Sequence, residues 1–251
     1  MSAITDRAAV PLGRRYAAWA AAVLMLGGFG LTGCSIVKAV SSVTHVVQGN
    51  RGIINTFTTN LKSSQGTTFE ATYVTTGSSP TTVVYAVRPP KGLAFRSTPS
   101  GPGGSSSADV QLIVNSSGAY SCDRPSSGAR WQCGKLSPAT AQIKKAIFGF
   151  YTPSHWVNFL KVFALAAGFA GDKVTTSSMT VNGFSLKCVD FKASGVKGTS
   201  TICTTSQGIL GYVKVASTPV SFEIRAYTAA PSASLFALPP GAKITNLQNG
   251  G

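Results

Sequence analysis

The chain has 251 residues, of which 12% are charged, and its 22 Lys and Arg residues outnumber seven Asp and Glu residues to give a net charge of +15. That length suffices for one domain with a sizeable core, and a body rich in Ser, Thr and Gly but poor in charge is more typical of secreted β-rich proteins than of cytosolic helical ones. The basic residues are dispersed, and Lys144-Lys145 is the only adjacent pair after residue 33, which argues against a nucleic-acid-binding protein. Attraction to anionic lipid headgroups or cell-wall polymers, and solubility alone, are both open explanations of the charge.

The first 33 residues have the organisation of a secretory signal peptide. Three arginines precede an uncharged apolar segment at residues 16–30, and Leu31-Thr32-Gly33-Cys34 closes that segment as a lipobox. We therefore expect cleavage before Cys34, acylation of this cysteine by chains such as palmitate, and attachment of the protein to the extracytoplasmic face of the cell membrane. The alternative is an uncleaved transmembrane anchor, but the apolar segment is shorter than the roughly 20 residues that a spanning helix needs.

After the predicted leader, residues 34–50 are expected to form a tether that clears the lipid headgroups. The helical spacing of Ile54, Phe57 and Leu61 then predicts a helix from about residue 51 to 62.

Alternation of apolar and polar residues next predicts six strands joined by tight turns. Residues 98–107 interrupt them as a flexible loop without apolar residues. Six successive strands, most of them on short connections, indicate an antiparallel meander. The predicted strands are 68–74, 82–87, 93–97, 110–115, 119–122 and 130–133.

The pattern becomes helical in the middle of the chain. Ser137-Pro138 is typical of a helix start and begins a helix that runs towards Phe150, and Pro153 begins a second helix that ends near residue 167. The second helix is apolar almost all round, so we expect it to be buried in the core or to line a cavity.

A second meander follows, and its Asn182-Gly183 turn is the strongest hairpin signal in the chain. Leu235–Pro240 is short and stiff and is expected to cap one end of the core. We place one domain at residues 51–245 and a tail at 246–251. The predicted strands of this meander are 173–181, 184–191, 199–204, 209–216 and 220–227.

Four cysteines remain after the predicted cleavage site, in two close pairs that each flank a glycine-containing turn. Of the three possible pairings, short loop closure favours Cys122–Cys133 and Cys188–Cys203. A zinc site is the competing interpretation, but neither pair has CxxC spacing and no histidine lies near either, so we predict no metal. Disulfides agree with an exported protein, and Trp131 is expected to pack over the first of them.

Four stretches have counterparts in a known group of proteins: LTGC at 31–34, FEATY at 69–73, VNGFSLKC at 181–188 and FALPPGAKI at 236–244. With the order of elements, they resemble the LppX/LprA/LprG group of exported lipoproteins, which have the LolA-like fold. The resemblance spans about residues 50–245. It implies an α+β fold in which a strongly curved antiparallel sheet, a half-barrel, wraps the N-terminal helix and the mid-chain helix pair. It brings no catalytic residues and no cofactor, and it does not cover the two cysteine pairs.

The resemblance also implies an apolar cavity for acyl chains between the sheet and the helices. The alternative is that the same side chains fill the core completely, since protein interiors normally close-pack. The candidate cavity residues are Trp156, Phe159, Leu160, Phe163 and Phe169.

No arrangement of catalytic residues is recognisable. The acidic residues after position 34 are not paired at helical spacing, His45 lies in the tether, and His155 lies at a helix start. No G-x-S-x-G elbow, P-loop or dinucleotide fingerprint is present. We predict a non-enzymatic, monomeric lipoprotein that binds or shuttles a lipid or other apolar ligand and does not bind nucleic acid. The alternative is a cell-envelope scaffold or partner-binding lipoprotein with a fully packed core.

Overall fold

A computed structural model describes seven stretches of the chain, which contain one α-helix, one 3-10 helix and twelve β-strands. No helix in these stretches combines the length and the hydrophobicity needed to cross a membrane. The described residues are 47–64, 66–78, 80–100, 109–136, 173–192, 197–216 and 219–246.

Helix α1 (Val47–Ser63) confirms the helix predicted at 51–62 and starts four residues earlier. Its buried residues Ile54, Phe57 and Leu61 lie three and four positions apart and therefore on one face of the helix. That face packs into the main hydrophobic core.

Eleven of the strands match the eleven predicted ones to within a few residues, and the twelfth was not predicted. Strand β7 agrees with the prediction at both ends. The strands are β1 (Phe69–Thr75), β2 (Thr81–Arg88), β3 (Gly92–Pro99), β4 (Asp109–Asn115), β5 (Gly118–Arg124), β6 (Gln132–Lys135), β7 (Lys173–Val181), β8 (Phe184–Lys192), β9 (Ser200–Thr204), β10 (Leu210–Lys214), β11 (Ser221–Thr228) and β12 (Lys243–Asn246).

All twelve strands belong to one sheet. Its order is β12-β6-β5-β4-β3-β2-β1-β11-β10-β9-β8-β7, so β12 and β7 form its two edges. Every neighbouring pair is antiparallel except β12 and β6, which are parallel and align Lys243 with Gln132. The two meanders meet at β1 and β11, the first strand of one and the last strand of the other.

The predicted fold class is wrong. In place of an α+β half-barrel that wraps an N-terminal helix and a helix pair, the described residues form a mostly-β, mixed and open sheet with a single α-helix. The sheet is mixed because the chain leaves β11, in the middle of the sheet, and crosses to the β6 edge, where β12 pairs with β6 in parallel. The helix does not occupy the centre of a wrapped sheet, since its main strand contacts are with β7 and β8 at one edge. The predicted helices at 137–150 and 153–167 lie outside the described residues.

Side chains alternate between two faces of this sheet. The core face carries the main hydrophobic cluster, in which Tyr73 and Tyr85 are almost completely buried. Tyr73 stacks on Phe222 across the junction of the meanders, with ring centroids 4.4 Å apart. The opposite face carries Cys122 and Cys188, and we call it the disulfide face.

The segment after β11 covers part of the disulfide face. Its 3-10 helix (Ala233–Phe236) places Phe236 against Ala86 and Ala94, and the Arg88 guanidinium lies 4.6 Å from the centre of the Phe236 ring. The predicted cap at 235–240 therefore packs on the disulfide face, with Leu235 and Phe236 in a separate small cluster, and does not close one end of the main core.

The Asn182-Gly183 turn connects β7 and β8 as predicted, with positive φ at both residues. Asn182 Nδ2 donates a hydrogen bond of 2.8 Å to the Ile224 carbonyl oxygen, and Arg225 Nη1 donates one of 2.7 Å to Asn182 Oδ1. The register of β1 with β11 shifts at Thr72 and Tyr73, so a β-bulge accompanies this contact.

Candidate functional site

The two predicted disulfides are present. Cys122 pairs with Cys133 and Cys188 pairs with Cys203, and in each case the two cysteines lie directly opposite one another on neighbouring antiparallel strands. All four are buried. Each disulfide therefore joins two strands of one meander and is shielded from solvent.

Each disulfide is the centre of a small hydrophobic cluster on the disulfide face. Around Cys122 and Cys133 the cluster includes Trp131, which confirms that this tryptophan packs over the disulfide. Leu238 and Ala242 from the C-terminal segment complete it. The second cluster surrounds the other disulfide with Val181, Leu186, Met179, Phe184 and Tyr212.

Three charged side chains lie close together beside the first cluster. Asp109 is buried, and its Oδ2 accepts a hydrogen bond of 2.7 Å from Arg124 Nε. Arg124 Nη2 forms an ion pair with the same oxygen at 2.5 Å. Arg96 Nη2 is 3.8 Å from the same oxygen, and both guanidinium groups lie near the Trp131 ring, at 5.9 Å for Arg96 and 4.8 Å for Arg124. We call these four residues the arginine cluster.

The sequence alone does not reveal the arginine cluster, because its three charged members are isolated on three strands and Trp131 lies between two strands. A signal was available in the strand pairings. The β4–β5 hairpin aligns Asp109 with Arg124, and β3 aligns Arg96 with Gln111, two residues from Asp109 on the same face.

Two buried tyrosines on the core face are not suited to proton transfer. Burial raises the pKa of Tyr73, and the neighbouring Tyr85 raises it further, while burial alone raises the pKa of Tyr85. Both hydroxyls therefore stay protonated at physiological pH, and their rings serve packing.

The acidic residues of the described part have structural partners. Asp190 accepts a hydrogen bond from Thr201, Glu223 accepts one from Ser221, and Glu70 accepts one from the backbone N–H of Ser232. Across the described stretches, no group of three His, Cys, Asp or Glu side chains is placed to hold a metal ion.

A shallow depression of about 360 Å³ lies where the β2–β3 and β4–β5 turns meet. Its lining is mixed: Leu93, Val114 and Ala119 contribute apolar atoms, whereas Lys91 and Asn115 contribute polar ones.

Several predicted site residues fall outside the described residues. These are the lipid attachment residue Cys34 and the five cavity candidates Trp156, Phe159, Leu160, Phe163 and Phe169. Lipidation, the cavity, and the domain boundaries at 33, 50 and 245 stay predictions.

No family model matches the sequence, and no curated protein matches it. Solved structures do match. An uncharacterized conserved protein from Thermus thermophilus is 8% identical with a TM-score of 0.42, covering 76% of this chain and 98% of that chain. MucB in complex with MucA(peri) is 10% identical with a TM-score of 0.37, covering 77% of this chain and 62% of that chain. At such scores neither likeness establishes a shared fold or function, and the lipoprotein-group resemblance stays a prediction.

Proposed function

We propose that this protein is an exported lipoprotein, anchored to a membrane through Cys34, which binds a partner protein and catalyses no reaction. Export is supported by the two buried disulfides, because such bonds persist in oxidising compartments and are rare in the cytosol. The lipobox Leu31-Thr32-Gly33-Cys34 supports the anchor.

The observation that carries partner binding is the open edge of the sheet at β7. This strand has nine residues in unbroken register with β8, and among the described residues it pairs with no other strand. Protected edges usually carry a proline, a β-bulge or several charges, whereas β7 has only Lys173 at its first position. Such an edge is suited to accept an added strand from another chain.

The second disulfide defines which backbone groups of β7 face the open side. The Cα atoms of Cys188 and Cys203 are 4.0 Å apart, a distance typical of a non-hydrogen-bonded antiparallel pair. The backbone groups of Cys188 therefore point towards β7, where they meet Ser177. It follows that the backbone N–H and C=O of Thr176 and Ser178 point to the open side.

The positive charge of the chain limits which kind of partner segment can bind at this edge. The chain after residue 33 has 19 basic and six acidic residues, so two copies repel one another. Beside the edge, Lys187 is aligned with Ser178, and Lys192 with Lys173. We therefore assign the edge to an extended segment of a different protein that carries acidic or uncharged side chains.

Ser178→Pro is expected to weaken partner binding about tenfold or more while the domain stays folded, because proline removes one outward N–H and is tolerated on an edge strand. Ser178→Ala, which keeps the N–H, should bind as the wild type does. The partner is first identified by a photo-crosslinking residue at Thr176 of the membrane-anchored protein. The purified segment of that partner is then titrated against the wild type, Ser178→Pro and Ser178→Ala. Hydrogen exchange of the Thr176 amide, and of the Ser178 amide in the wild type, reports binding at the edge. Unchanged affinity of folded Ser178→Pro, or crosslinks between two copies of β7, would reject the proposal.

Cys34→Ala is expected to release the protein from the membrane, because no acyl chain can be attached at that position. Fractionation of cells that express either form measures the membrane-bound share, and Cys122→Ala/Cys133→Ala serves as a control that removes cysteines but not the anchor. Complete membrane retention of Cys34→Ala, with an uncleaved leader, would contradict the anchor.

A lipid ligand is the second candidate, and the depression at Leu93 and Val114 is the place where we would look for it. Leu93 and Val114 could contact an acyl chain there, and Lys91 could contact an anionic headgroup. Native mass spectrometry of the purified protein distinguishes the candidates: a co-purified acyl species that is lost in the variant of the exposed lysine, Lys91→Glu, supports the lipid, and its absence in the wild type excludes it.

A further inference from the structure

Arg96 is the least satisfied charged group of the arginine cluster. Its side chain is 39% exposed, its Nε is buried without a hydrogen-bond partner, and its Nη2 lies 3.8 Å from Asp109, too far for a hydrogen bond. A guanidinium has five N–H donors and always carries its charge. This side chain therefore retains the capacity to bind an anion.

Arg124, in contrast, is committed to the protein. Its Nε and Nη2 both contact Asp109, and its Nη1 donates a hydrogen bond of 2.7 Å to the Ser127 carbonyl oxygen. Since Asp109 is only 6% exposed and holds this short contact, its charge is already compensated. Two guanidinium groups share one carboxylate, so the cluster has one uncompensated positive charge, and that charge is on Arg96.

The cluster is held on a rigid base. Trp131 lies beside both guanidinium groups and packs over the first disulfide. The Lys243 backbone N–H donates to the Trp131 carbonyl oxygen at 2.9 Å, and Arg130 Nε donates to the Gly241 carbonyl oxygen at 2.6 Å. These bonds fasten Arg130 and Trp131 to the C-terminal segment, so the tryptophan beside Arg96 is held in place.

We propose that the arginine cluster is a binding site for a phosphate group, with Arg96 as the residue that contacts it. The planar guanidinium presents parallel N–H groups that match two phosphate oxygens. Arg124 strengthens the local positive potential, and the Arg96 head lies 5.9 Å from the centre of the Trp131 ring. In its present position Arg96 leaves Nε unsatisfied, so a phosphate that draws the head outward offers Nε a partner. The phosphate belongs either to a free anion or to the headgroup of a membrane lipid, and the site does not depend on the strand-edge proposal.

Calorimetric titration of the purified protein tests this site with three soluble probes at constant ionic strength. The probes are inorganic phosphate, glycerophosphoglycerol as a headgroup diester, and acetate as an anion without phosphate. We expect at least one phosphate compound to bind more tightly than acetate, with a change in tryptophan fluorescence. Tighter binding of the diester identifies a lipid headgroup, and tighter binding of inorganic phosphate identifies a free anion.

Variants distinguish binding at this site from general attraction of anions to a basic protein. Arg96→Gln is expected to weaken phosphate binding about tenfold, and Arg96→Lys, which keeps the charge without the fork, should lie between it and the wild type. Arg225→Gln removes an exposed arginine that bonds to Asn182 and should leave the affinity unchanged. Thermal unfolding shows that each variant is folded. Equal binding of phosphate and acetate, or equal losses in Arg96→Gln and Arg225→Gln, would overturn the site.

Discussion

Gly208→Ala is expected to lower the free energy of unfolding by about 3 kcal/mol or more. Gly208 lies in the turn between β9 and β10 with φ of +73°, a conformation that strains any residue with a Cβ. A Cβ there would also collide with the Asn60 carbonyl oxygen and come within 2.6 Å of Ser63 Oγ in the last turn of α1. Since the first obstacle is helix backbone, the turn and the helix must separate.

The contact that would be disrupted attaches α1 to the sheet. Ser64 Oγ donates a hydrogen bond of 2.9 Å to the Gly208 carbonyl oxygen. Asn60 Nδ2 donates to Thr204 Oγ1 at 2.8 Å and to the Thr205 carbonyl oxygen at 3.1 Å. Leu61, which is fully buried on the same turn of the helix, would lose part of its packing. The expected loss therefore combines backbone strain with weakened docking of the helix.

Gly66→Ala provides the matched control. Gly66 has φ of +79° and nothing within 4 Å of an added Cβ, so alanine there costs only the backbone strain of about 1 kcal/mol. Urea unfolding of both variants under non-reducing conditions, followed by circular dichroism, gives the comparison. Equal losses in the two variants would show that the close approach of Gly208 to α1 contributes no stability.

Local signals predicted the local parts of the fold. The predicted strands at 173–181 and 184–191 match β7 and β8 almost to the residue, and Asn182-Gly183 predicted the turn that joins them. The disulfide pairing followed from sequence separations of 11 and 15 residues across such turns.

Pairings between distant segments could not be predicted in this way. Strand β12 has four residues with one large apolar side chain, Ile244, which is 54% exposed, so it lacks the pattern of a half-buried strand. It forms because the C-terminal segment is fastened beside Trp131 and so brings Lys243 opposite Gln132. The arginine cluster is likewise a product of strand register, since Asp109 and Arg124 are 15 positions apart in sequence. Register is what single-sequence patterns leave undefined.

Removing the Cys188–Cys203 disulfide as a Cys188→Ala/Cys203→Ala double variant is expected to lower the free energy of unfolding by about 3 kcal/mol. The bond closes a loop with a sequence separation of 15 residues and so restricts the unfolded chain. The corresponding variant of Cys122 and Cys133, with a separation of 11, should lose about 0.3 kcal/mol less from loop closure. The two disulfides belong to separate clusters, so their effects should add.

The sum of about 6 kcal/mol is comparable to the whole stability of many domains, so the variant without either disulfide is expected to be largely unfolded. Urea midpoints of the four proteins measure the losses, and thiol alkylation with and without reductant shows which cysteines are bonded. Because all four cysteines are buried, alkylation of the wild type should require both reduction and unfolding. A chain this dependent on disulfides would fold only in an oxidising compartment. A reduced wild-type protein with an unchanged urea midpoint would therefore remove the main support for export, whatever the fate of Cys34.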